Sequence, residues 1–210
     1  MTRLFLHPLT VRVWHWINAV LFIALILTGI QIRYRDALFL MSYRSAVDVH
    51  NWIGFVLIAN YLLWLAYYLI SGNIRVYVPE LNPKRLVKSM VLQARYYGYG
   101  IFVGEKNPHH ASFDNKFNPM QKMAYLSIMM FLIPVQILSG ILLWDVKLFA
   151  PAIAFVGGVK IVDSVHVVIS MFFTAFLFVH IYLTTLGHTP MEHIKAMFTG
   201  FEEFQEHPSL

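Results

Sequence analysis

Cysteine is absent from this chain, and charge is scarce: Asp, Glu, Lys and Arg supply only 13% of its 210 residues. A soluble domain carries about 25%. Without cysteine there are no disulfides, no thiolate-held iron–sulfur clusters, no thiolate zinc sites and no covalently attached c-type haem. Cofactors held by histidine stay open, and there are ten histidines. No catalytic triad, phosphate-cradling glycine loop or long internal repeat is present. What is abundant is apolar: 58% of the residues are hydrophobic. That composition belongs to an integral membrane protein. A span needs about 20 apolar residues, so residues 1–210 suit one domain of four spans and their loops. The net charge of +5 is no nucleic-acid footprint, because basic residues of membrane proteins collect on cytoplasmic loops.

The hydropathy pattern predicts spans at about 11–32, 46–70, 123–144 and 161–186. The stretch after Arg12 is too long for a cleaved leader and lacks a small-residue cleavage site, so it is expected to stay as the first helix. Pro134 falls inside the third span, where a neighbouring helix can satisfy the carbonyl that it frees. The long connection 71–122 carries eight Lys and Arg, against five in the two short ones. This places the long connection and both termini in the cytoplasm, and the short ones outside. Within it, "PKRLVKSMVLQARYY" reads as an amphipathic interfacial helix, followed by an irregular Gly/Asn/Pro-rich stretch. One local echo stands out: "ILTGI" closes the first span and "ILSGI" the third. Gly29 and Gly140 in these pentapeptides permit close approach of a helix or a flat ligand.

Four histidines fall within spans: His15, His50, His166 and His180. Ionisable groups in a membrane are rare and usually functional. Spans alternate in direction, which groups these residues by depth. His50 and His166 lie near the outer face, and His15 and His180 near the cytoplasmic face. His166 and His180 are 14 residues apart, just under four turns, so they share one side of the fourth span, about 21 Å apart along its axis. Two imidazoles per layer suit a six-coordinate haem iron. Zinc wants about four ligands, and a proton relay wants carboxylates through the interior, where none is evident. Asp48 and Asp163 sit only at span ends. Gly54, one turn from His50, is expected to clear room for a haem plane or to serve ordinary helix packing. His7, His109, His110, His188, His193 and His207 are expected to be surface groups, with His7 the rival to His15.

The segments "RVWHWINA", "VDVHNWIGF", "KFNPMQKMAY", "VHVVISMFFTAFLFVHIYL" and "TPMEHIKAMFTGFEE" are spread along nearly the whole chain. In them the chain resembles the di-haem cytochrome b membrane subunits of bacterial thiosulfate reductases, formate dehydrogenases (gamma subunits) and nickel–iron hydrogenases, the thiosulfate-reductase-like branch most of all. The resemblance implies an all-α fold, an integral membrane four-helix bundle with two stacked b-type haems in a bacterial inner membrane. It implies His15 and His180 as ligands of an inner haem b and His50 and His166 as ligands of an outer one. It further implies a quinone site on the cytoplasmic side, at positions matching Asn118 and Gln121. These two residues equally read as a helix cap with Pro119 behind it. Arg12 reads as a partner for a haem propionate or as a basic flank of the first span.

The expected function follows: electrons pass between a quinone, menaquinone being favoured, and a periplasmic iron–sulfur or multihaem cytochrome c subunit that carries the substrate chemistry. Membrane lipid is a partner and nucleic acid is not. The alternatives are a stand-alone quinone oxidoreductase acting on a small oxidant or reductant, and a haem-free anchor or transporter.

Overall fold

A computed structural model describes residues 2–35, 40–109, 117–186, 189 and 191–204. The long helices are α1 (Leu9–Arg33), α2 (Tyr43–Ile70), the composite Pro119–Trp144, and α7 (Val159–Thr184). All four are long and apolar enough to cross a membrane. The composite comprises α4 (Pro119–Ser127), a π-helical turn (Ile128–Leu132) and α5 (Ile133–Trp144). Shorter helices are α3 (Pro83–Gly98), α6 (Ala150–Phe155) and α8 (Glu192–Thr199). The fold is all-α, as expected. One addition was not foreseen: β1 (Thr2–Phe5) pairs antiparallel with β2 (Phe201–Phe204), Thr2 opposite Phe204. This ribbon ties the two ends of the chain together. Arg12 donates to the Phe198 carbonyl, and Trp16 donates to Met197 O at 3.2 Å, so α8 is anchored on the first turns of α1.

Large apolar side chains such as Val20, Leu63, Phe131 and Val168 point outward, the reverse of a water-soluble bundle and the surface that lipid requires. The helices pack as two hairpins, α1 with α2 and α5 with α7, joined where α2 meets α5. Aromatic rings fill the core at the end that carries the termini: Trp64 lies 5.9 Å from Trp14, 5.2 Å from Tyr68 and 5.7 Å from Tyr77. Burial pushes the Tyr77 phenol far above its ordinary range. At the opposite end, Arg33 and Asp163 pair at 3.1 Å, and buried Gln31 holds the α1–α2 connection through Leu40 N and Met41 O. Gly157 and Gly158, with φ of 100° and 98°, turn the chain from α6 into α7 through backbone that side chains disfavour.

The π-turn accounts for Pro134. In the i to i−5 register Ile133 N bonds Ile128 O, so the next donor would be Pro134, which has no N–H. Its would-be acceptor, Met129 O, receives the Tyr61 hydroxyl of α2 at 2.9 Å instead. The amphipathic segment forms α3 as expected, started by Asn82, whose side chain accepts from Lys84 N and Arg85 N. Residues 104–109 after it are irregular, following a 3-10 turn at Gly100–Val103; residues 110–116 of this stretch lie outside the described residues.

Removing the Tyr61 hydroxyl strands Met129 O in an apolar span. Tyr61→Phe should cost about 1 kcal/mol, seen as a melting-temperature drop of about 2–4 °C in detergent. An unchanged melt would show that the carbonyl needs no partner.

Candidate functional site

The four span histidines meet in two pairs. His50 of α2 and His166 of α7 have ring centres 6.3 Å apart, and His15 of α1 and His180 of α7 have centres 6.1 Å apart. Each pair bridges from the α1–α2 hairpin to α7. The first pair lies near the end with the short connections, the second near the end with the termini. No three His, Asp or Glu side chains cluster as a metal site among the described residues. Each site therefore offers two imidazoles and no third ligand. The spacing suits one metal between them: bonds of about 2 Å, plus a ring nitrogen about 1 Å from its centre, set trans imidazole centres about 6 Å apart. Haem iron asks for no more than these two protein ligands.

The two sites differ in what touches the imidazoles. At the first, His50 Nδ1 lies 2.8 Å from Thr28 Oγ1, and His166 Nδ1 lies 3.0 Å from Ser139 Oγ. The Gln136 amide donates to His166 Nε2 at 3.2 Å, so a metal at that nitrogen requires this amide to swing aside. A Cβ on Gly29 would stand 3.5 Å from His50 Cε1, and one on Gly140 would stand 3.2 Å from His166 Cε1. The glycines of the echoed pentapeptides thus let α1 and α5 lie flat against the two rings. At the second site the neighbours are aromatic. Phe176 stacks on His180 at 5.7 Å, and Trp16 meets His15 edge-on at 5.3 Å. His15 Nδ1 is buried with no hydrogen-bond partner among the described residues. A Cβ on Gly54 would touch nothing within 4 Å.

Asn118 and Gln121 form a capping box at the start of α4. Asn118 Oδ1 accepts from Gln121 N at 2.9 Å, and Gln121 Oε1 accepts from Asn118 N at 3.0 Å. Asn118 also donates to the Tyr97 hydroxyl at 2.9 Å and is 3% exposed. Burial raises the Tyr97 phenol above its ordinary range. The Gln121 amide N–H groups take part in none of these bonds and can face a ligand. Beside the box lies a cavity of about 570 Å³, walled by Val78, Leu81, Arg85, His109, Phe117 and Lys122. Arg12 serves α8, as described above. His7 sits before α1, outside both pairs, and His109 lines the cavity. His193 lies on α8. His110, His188 and His207 lie outside the described residues.

Two imidazole pairs, one toward each end of a four-helix bundle, are what a metal cofactor held by two histidines would need. The comparisons agree with that class. The model of the prokaryotic cytochrome b561 family matches residues 6–200, and the chain belongs to that family. It is therefore a multi-pass membrane electron-transfer protein of the b-type cytochrome class. It is 32% identical over 201 residues to the Escherichia coli (strain K12) protein named "Putative cytochrome YdhU", covering 95% of this chain and 74% of that one. It is 24% identical over 191 residues to the Azospira oryzae protein named "Putative protein-methionine-sulfoxide reductase subunit YedZ1", covering 86% of this chain and 90% of that one.

Sequence reasoning missed Thr28, Ser139 and Gln136. The signal for the first two was the hydroxyl residue standing beside glycine in both echoes. Gln136 had no signal.

Space beside His166 sets a limit on Gly140. Gly140→Val should lower stability by about 1–3 kcal/mol through overpacking, whereas Gly54→Ala should be neutral. Equal melting curves for the two variants would contradict this packing.

Proposed function

We propose that this chain is a di-haem membrane subunit that carries electrons between a quinone pool, at a site on the side of the termini, and a periplasmic redox subunit. His50 and His166 hold the outer haem b, and His15 and His180 hold the inner one. The observation that carries the reading is the pair of 6.3 Å and 6.1 Å imidazole separations at opposite ends of the bundle. Bound there, bis-histidine haem supplies one-electron transfer with no open iron position for substrate. The protein's part is to hold four neutral imidazoles in apolar surroundings, to keep water out with outward-facing apolar residues, and to set the two sites at the two faces of the membrane. We place the chemistry of the further substrate on a partner, because iron held by two histidines leaves no open position for it. The subunit name of the Azospira relative supports partnership with a larger complex. The basic loop 71–122 supports cytoplasmic termini in a bacterial inner membrane, and the whole chain acts as one unit.

For the quinone, we assign the neighbourhood of Gln121 and the adjoining cavity, where Leu81 and Phe117 offer apolar contact and Arg85, Ser89, His109 and Lys122 offer polar groups to a carbonyl. Menaquinone is the favoured substrate on the resemblance alone.

A reduced-minus-oxidised visible spectrum of the pure protein should show two b haems per chain. Each single His→Ala change at His15, His50, His166 or His180 should remove or misligate one, leaving the other; a colourless protein would overturn the reading. Gln121→Glu keeps the capping acceptor and loses the amide donor. It should leave stability unchanged and raise the quinol KM by up to about tenfold, the worth of one hydrogen bond. An unchanged KM would remove Gln121 from the quinone site.

A further inference from the structure

The echoed pentapeptides do the same thing twice. Thr28 and Gly29, near the end of α1, contact His50 of the following helix. Ser139 and Gly140, near the end of α5, contact His166 of the following long helix. In each hairpin the hydroxyl meets Nδ1 and the glycine passes the ring at Cε1. The hydroxyl protons are already committed to their own helices. Thr28 Oγ1 donates to Ala24 O at 2.7 Å, with Leu25 O at 3.2 Å, and Ser139 Oγ donates to Gln136 O at 3.0 Å. A hydroxyl has one proton, so toward the imidazole each oxygen can only accept. The proton of that bond is then on Nδ1, and Nε2 carries the lone pair. The Gln136 amide nitrogen agrees independently: it has only hydrogens to offer, and it meets His166 at Nε2.

We infer that Thr28 and Ser139 are matched positioning residues of the outer site: each fixes its histidine as the Nδ1–H tautomer with Nε2 presented to iron, and together they lower the outer haem's potential relative to the same site without them. The inference rests on the di-haem reading above. Its physical basis is that a ligating imidazole whose remote N–H is donated to an oxygen becomes more basic, which favours the oxidised iron. His15 at the inner site has no such acceptor among the described residues, so the effect belongs to one haem of the two.

The test uses the full-length protein carrying both haems, with the outer one identified as the haem lost in His50→Ala. Redox titration followed by visible and electron paramagnetic resonance spectra compares Thr28→Val, Ser139→Ala and the double variant with the hydroxyl-retaining Thr28→Ser and Ser139→Thr. The double variant should raise the outer midpoint alone, by about a tenfold change in the oxidised-to-reduced ratio, ~59 mV for one electron. Alternatively it should lose the outer haem alone. Thr28→Ser and Ser139→Thr should stay at the parent value. Unshifted midpoints in the double variant, equal shifts of both haems, or Thr28→Ser behaving like Thr28→Val would each overturn the inference. A parent protein with fewer than two b haems would instead overturn the di-haem reading, so the two failures are distinguishable.

Discussion

An imidazole held in a bilayer has no water to satisfy it, and the rest of this structure follows from where that need is met. An unpaired polar group in hydrocarbon is expensive, so four span histidines are tolerable only if the fold brings partners to them. It faces them across the two hairpins in pairs, 6.3 Å and 6.1 Å between ring centres, and gives His50 and His166 the hydroxyls of Thr28 and Ser139, while His15 Nδ1 has no hydrogen-bond partner among the described residues. α7 contributes to both pairs because His166 and His180 stand on one side of it. The packing elsewhere is arranged around these pairs. α1 lies along α2 and α5 along α7, while the imidazoles reach across.

The same rule governs the backbone. Pro134 cannot complete the helix ladder in the third span, and the π-turn passes the deficit to Met129 O, where Tyr61 of the neighbouring hairpin meets it. Trp14 and Asn18 likewise engage Asn60 of α2, at its carbonyl and its amide. Among the described residues, Thr28, Gln31, Asn60, Gln93, Asn118 and Ser139 are the buried polar ones, and each has a hydrogen-bond partner. In a bundle whose outer surface faces lipid, these few bonds supply the specificity that apolar burial cannot, because lipid tails are as apolar as leucine.

Much of the site could be read from the sequence because its signals are local. Helical period and hydropathy located the long helices within a few residues, and the depth of each histidine followed from counting along alternating spans. The capping reading of Asn118 and Pro119 was equally local, and the box forms. The resemblance to b-type membrane subunits agrees with the family to which the chain belongs. The β1–β2 ribbon was not legible: it joins residues about 200 positions apart through backbone bonds that carry no side-chain signature. The π-turn escaped for a related reason, since proline announces a missing donor but not the register that absorbs it. Thr28 and Ser139 look like ordinary small residues of a helix interface until their oxygens are seen against Nδ1.

By itself the sequence determined that this is a multi-pass membrane protein with four long apolar helices and histidines set within them, because composition, span length and helical phase are properties of single segments. Only the tertiary structure decided which nitrogen of His50 and of His166 meets a hydroxyl, and that Arg12 serves the C-terminal helix. It also decided that Asn118 and most of Gln121 are spent on a cap beside a cavity. Those outcomes depend on ångström-scale distances between helices, and such distances are set by packing between segments that the one-dimensional pattern cannot bring together.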